Sequence, residues 1–113
     1  MKTFIAATAR LLGTVVQARI IDLQWDAQGR FDTAVILEPG KFVEVCGKLS
    51  KGQAIAWRFQ ADAPMNFNIH HHEGKKVELP AKLDGATAAE GKLAVAVNQD
   101  YCWMRSNKSD KAG

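Results

Sequence analysis

All three histidines of the chain fall in one run, His70-His71-His72, inside the stretch NFNIHHHEG (residues 66–74). Imidazole is the commonest nitrogen ligand for Zn(II), Cu(II) and Ni(II). If Phe67 to His72 forms a strand, successive side chains point to opposite faces. Phe67, Ile69 and His71 then share one face, and the two apolar residues mark it as the core side. His71 is expected at the rim of that core, hydrogen-bonded and structural. His70 and His72 share the outer face, about 6.5–7 Å apart along the backbone, and can converge on one ion. A tight site needs three or four ligands. Glu73, Glu78, or His71 at a strand end or bulge are the candidates to complete it. Met65 and Met104 would suit Cu(I), although a methionine in a β-core is usually packing. The chemistry in view is therefore copper or zinc binding by His70, His72, His71 and Glu73. The plainer reading is an incidental exposed pair of imidazoles. A third is a pH response, since adjacent imidazoles repel once charged.

The two cysteines, Cys46 and Cys102, fit neither a zinc-knuckle nor a CxxC spacing. In an exported chain an isolated pair is expected to form a disulfide, stabilising by about 4 kcal/mol for a loop of this length. In a cytosolic chain they would be two buried free thiols. Other catalytic constellations are missing. Ser50, Ser106 and Ser109 sit in turn or tail contexts without a GxSxG elbow, and there is no Walker loop or GxGxxG. Cys102 with His70 would make a nucleophile and base only if the disulfide were absent. Asp84, Glu90 and Asp100 fall in separate turns and read as solvated surface. The inventory favours binding over catalysis.

The elements that must position these residues follow from size and patterning. A chain of 113 residues forms one domain with little core to spare. Its beginning, MKTFIAATARLLGTVVQARI, carries Lys2, then a mostly apolar stretch to Val16. Val16-Gln17-Ala18 fits a signal-peptidase site, which makes residues 1–18 a signal peptide and places the mature domain in the periplasm or outside the cell. Arg10 within the apolar stretch opposes this, and the alternative is an amphipathic N-terminal helix. The whole chain has 15 basic and 12 acidic residues, a net charge of +3. Without residues 1–18, which hold Lys2 and Arg10, the balance is 13 against 12, or +1. A near-neutral domain without a basic cluster does not bind nucleic acid by electrostatics. No apolar run reaches the length of a membrane span.

From Ile20 onward the period is two. Val43 and Val45, then Ile55, Trp57 and Phe59, then Leu93, Val95 and Val97, then Tyr101 and Trp103 alternate with other residues. Turn chemistry punctuates them at Asp26–Gly29, Glu38-Pro39-Gly40, Ser50-Lys51-Gly52, Asp62-Ala63-Pro64, Glu73-Gly74, Asp84-Gly85, Glu90-Gly91 and Asn98-Gln99-Asp100. About seven or eight short strands with turns every ~8–12 residues predict an all-β fold, an antiparallel β-sandwich of jelly-roll type. Lys75 to Pro80 reads as an edge strand guarded by lysines and a proline. Ala86 to Glu90 has helical composition but is too short to stand alone. The sandwich spans residues 19–109, and the polar end is expected to fray, with 110–113 a disordered tail. Trp57 and Trp103 are in phase with core residues, which leaves Trp25 as the partly exposed indole. Asn107-Lys108-Ser109 is a formal glycosylation sequon.

Several of these segments together resemble the GOLD (Golgi dynamics) domain. They are GQAIAWRF (52–59), Phe67-Asn68-Ile69, Gly91-Lys92-Leu93 and YCWMRSN (101–107). The family shows a G-x-x-[I/L]-x-W-x-F strand, an F-x-I strand, a glycine before a late strand and a closing Y-x-[F/W]-x-[F/W]-x-N strand. The resemblance covers residues 38–109 and implies a core built on Trp57, Phe59, Phe67, Ile69, Tyr101 and Trp103. Cys46 and Cys102 match cysteines that are joined in the family's cargo receptors. Arg105 stands where the closing strand usually has an aromatic. The receptors' transmembrane helix and coiled coil have no counterpart here, so membrane traffic is not implied. What is implied is a small disulfide-linked sandwich that recognises a protein or small ligand without catalysis.

Overall fold

The structure, a computed structural model, describes residues 14–113, with side chains from residue 20 onward. Within them the fold is all-β, as the period-two patterning predicts. The strands are β1 (Thr14–Asp22), β2 (Val35–Leu49), β3 (Ala54–Glu73), β4 (Lys76–Ala94) and β5 (Gln99–Ser106). They form one mixed sheet in the order β1-β2-β5-β3-β4. β1 pairs with β2 in parallel, and the other neighbours are antiparallel.

Five strands among the described residues are fewer than the seven or eight expected, and the reason is local. Four of the turn signals, at Asp26–Gly29, Ser50–Gly52, Glu73-Gly74 and Asn98–Asp100, do lie at strand ends. The others fall within a strand without ending it. Gly40 and Gly85 take positive φ inside β2 and β4, at 80° and 69°, a conformation that costs glycine little. All three prolines fall where the ladders shift register: Pro39 opposite the Val16/Ala18 shift, Pro64 between Gln60 and Met65, and Pro80 opposite the Ile69/His71 shift. A shift is where a missing N–H goes unnoticed. Ala86–Glu90, helical by composition, is part of β4.

The bend in β3 organises the core. Eight extended residues span roughly 26 Å, yet the rings of Phe59 and Phe67 lie 4.9 Å apart. Trp57 sits 4.8 Å from the same Phe67 ring. The strand therefore turns back between Gln60 and Met65, and its two halves face each other across their own aromatics. Around this nucleus Val43, Val45, Ile55, Ile69, Tyr101 and Trp103 are buried. Trp25 is half-buried against the same cluster. Arg105 also points inward, 7% exposed, beside Trp57, Phe67 and Trp103. Burial pulls its pKa down to about 10, so the guanidinium stays charged at neutral pH.

The polar end of the chain, where fraying is expected, is hydrogen-bonded back onto β2. Leu37 and Gly113 exchange both backbone hydrogen bonds, at 2.8 and 3.1 Å. Asn107, fully buried, anchors the return: its Nδ2 donates to the carbonyls of Leu37 and Lys111, each at 2.8 Å. Its Oδ1 accepts from Ser109 N at 3.0 Å and Ser109 Oγ at 2.6 Å. An amide so committed cannot accept a glycan in the folded state.

The expected signal peptide, residues 1–18, lies mostly outside the described residues. Its last five residues belong to β1, which replaces helix with strand there, and the ladder crosses Ala18 without ending. Among the described residues no helix is long and apolar enough to cross a membrane.

Candidate functional site

The outer face of β2, β5 and β3 is where the chemistry collects. Alternation sends Val45, Trp103 and Ile69 inward and leaves Glu44, Cys46, Cys102, Met104, Asn68, His70 and His72 on the opposite side. Register then aligns them in rows. Cys46 faces Cys102, and Cys102 faces His70. The next row is Glu44, Met104 and Asn68.

Cys46 and Cys102 form a disulfide with a Cα–Cα distance of 4.1 Å. It is half-buried and joins neighbouring strands of one sheet. An open groove of about 550 Å³ lies over it, lined by Ile20, Asp22, Lys48 and His72 among others.

His70 is 8% exposed although it is on the outer face, because its neighbours cover it. Its Nε2 lies 3.1 Å from Glu44 Oε1 and its Nδ1 lies 2.7 Å from Asn68 Oδ1. Burial lowers its pKa; Glu44 opposes that shift, while His72 and His71 add to it. The neutral ring carries a single N–H, yet both nitrogens face oxygen acceptors. Three arrangements satisfy both nitrogens: the Asn68 amide turns end for end and offers its NH₂ to Nδ1, the ring carries both protons and pairs with the Glu44 carboxylate, or a cation other than a proton lies between Nε2 and Glu44. The donor atoms of Glu44, His70 and Cys102 all lie within 4.8 Å of one another.

The four histidine-run candidates divide. His70 and His72 come together, ring centroids 5.5 Å apart and perpendicular, with His72 exposed. His71 goes to the core side, 4.6 Å from the Tyr101 ring, and does not converge with them. Its Nδ1 is buried without a hydrogen bond, and Glu73 Oε1 stands 3.8 Å away. Glu73 ends β3 beside the turn, and Glu78 lies opposite His71. Met65 is a core residue, 2% exposed. Met104, by contrast, lies on the outer face between Glu44 and Asn68.

Glu44 is the residue that local reading misses. Its only signal is the spacing Glu44-x-Cys46, which puts both side chains on one face. That becomes informative once Cys46 is known to lie two strands from His70. Comparison with protein-family models, with curated proteins and with solved structures finds no match to the chain.

Proposed function

We propose that this chain is an exported, non-catalytic binding domain whose outer face holds a late first-row transition-metal ion, zinc or copper, through His70, His72 and Glu44. The observation that carries the reading is the arrangement around His70. An ion bound at Nε2 puts the ring proton on Nδ1, where Asn68 Oδ1 accepts it, the outer-shell pattern of a metal-bound histidine. It also gives the 3.1 Å gap between Nε2 and Glu44 Oε1 an occupant. Two ligands bound at 2.0–2.1 Å with tetrahedral angles stand about 3.3 Å apart, so the pair needs little movement. Met104, in the row beside Cys102 and His70, offers a thioether that suits Cu(I).

The fold-back of β3, with Trp57 and Phe59 set against Phe67, supports a GOLD-like sandwich as the carrier of this face. The disulfide supports an oxidising compartment, periplasmic or extracellular. The groove over the disulfide favours a second reading, recognition of a protein or small ligand there.

Calorimetric titration of the tag-free, oxidised chain with Zn(II), Cu(II) and Cu(I) separates the two. Sub-micromolar, one-to-one binding that disappears in the His70→Ala/His72→Ala variant is expected. Millimolar or non-stoichiometric binding refutes the metal reading and leaves the groove. Mass spectrometry of the chain's N-terminus after periplasmic expression tests export, cleavage after Ala18 being the expected result.

A further inference from the structure

We propose that the Cys46–Cys102 disulfide is a redox gate on a second, tighter coordination mode of this face, in which both cysteines become thiolate ligands beside His70 and Glu44. The inference rests on the metal reading above but adds ligands and a trigger that the reading does not need.

Three observations lead to it. Cys46, Cys102 and His70 occupy one row across three adjacent strands, so three donors already share one short line. Glu44 Oε1 reaches into the same space, 3.1 Å from His70 Nε2 and within 4.8 Å of the Cys102 sulfur. The open groove of about 550 Å³ is lined by both cysteines, which gives a reductant a path to the sulfurs. A cross-strand staple serving stability alone has no need of a buried histidine and a carboxylate within 4.8 Å of its sulfur.

The redox step balances with a dithiol as reductant. One of its thiolates attacks a sulfur of the Cys46–Cys102 bond. The resulting mixed disulfide is resolved by the second thiol, so the dithiol leaves as a disulfide and Cys46 and Cys102 are released as thiols. Two electrons and two protons pass from the dithiol to the chain. A divalent ion then displaces both thiol protons and binds two thiolates, His70 Nε2 and Glu44. Two thiolates bound at about 2.3 Å with tetrahedral angles stand about 3.8 Å apart, a separation side-chain rotation supplies. The donor set, two sulfurs with one nitrogen and one oxygen, suits Zn(II). Re-oxidation reverses the sequence: the sulfurs rejoin, two electrons leave to an oxidant of disulfide or quinone class, and the ion returns to the weaker His70, His72 and Glu44 set.

The test uses the full chain, reduced with a phosphine, desalted without oxygen, and titrated with Co(II) and then Zn(II). Cobalt reports thiolate ligation directly through a sulfur-to-metal charge-transfer band. We expect that band to saturate at one equivalent, and Zn(II) to bind roughly 100-fold or more tighter than to the oxidised chain. Cys46→Ser/Cys102→Ser abolishes the band. His70→Ala and Glu44→Gln, each in the reduced chain, weaken Co(II) binding by about 10-fold or more. Zn(II) binding no tighter after reduction overturns the gate, while His-dependent binding to the oxidised chain leaves the proposed function standing. A charge-transfer band indifferent to both His70→Ala and Glu44→Gln also overturns it, because cysteines of an unfolded chain bind cobalt that way. Tight binding in the reduced chain alone supports the gate and refutes binding in the oxidised state.

Discussion

Replacing Asn107 by alanine tests how the chain's polar end is held. The side chain is fully buried, donates twice from Nδ2 and accepts twice at Oδ1. Truncation leaves the Leu37 carbonyl without its 2.8 Å donor. Each carbonyl keeps a second donor, Leu37 from Gly113 N at 3.1 Å and Lys111 from Ser109 Oγ at 2.9 Å. Two carbonyls each losing one of two donors, and the Ser109 N–H losing its acceptor, at about 0.5–1.5 kcal/mol net per hydrogen bond, sum to about 2–4 kcal/mol. With an unfolding entropy near 2.1 cal/mol/K per residue, a chain of this size loses about 4 °C of Tm per kcal/mol, hence about 8–17 °C. Thermal and urea unfolding followed by circular dichroism measure this. Hydrogen exchange adds a local readout: the Leu37 amide, bonded to Gly113, should lose protection in the variant. Asn107→Asp should be at least as damaging, since a carboxylate cannot donate to either carbonyl. A Tm shift under about 3 °C with Leu37 exchange unchanged would refute the anchoring argument.

Cys46→Ala/Cys102→Ala, melted without metal, should lose about 4 kcal/mol, the chain-entropy value for cysteines 56 residues apart; a loss below about 1 kcal/mol contradicts it. Arg105→Met should stabilise by about 1–2 kcal/mol, because it removes a buried cation that has no ion-pair partner among the described residues. Destabilisation in urea titrations would show that the guanidinium is well satisfied. His70 has a folded-state pKa below its unfolded value of 6.5. The unfolded chain therefore binds the extra proton first, and stability is full above pH 6.5. It should decline as the pH drops through that value and level off below the folded pKa. His70→Gln should remove this part of the slope, and an unchanged profile would assign it elsewhere.

What the sequence discloses and what it hides divides along sequence distance. The period of two marks β2, β3 and β5, and it sends His70 and His72 to one face from within a single strand. Proline and glycine are ambiguous by nature. Ser50-Lys51-Gly52 ends a strand, whereas Asp62-Ala63-Pro64 and Asp84-Gly85 fall within one, and the difference lies in whether a partner strand continues past them. Glu44 cannot be tied to His70 locally, because their meeting depends on β5 lying between β2 and β3. The same holds for Asn107, whose decisive acceptor is Leu37, 70 residues away. Ala86–Glu90 follows tertiary pairing with β3 against its composition.

Cys46, Cys102 and His70 stand abreast on three strands, and this has a consequence for how the sheet is held. Sliding β5 by one residue turns its whole outward set to the other face. Sliding it by two parts the sulfurs by a full row. The closed disulfide therefore fits only the sheet in which the central strand holds its proper alignment. The covalent bond then acts as a register pin, compatible with β5 seated correctly between its neighbours and at odds with every slipped pairing of β2 and β5.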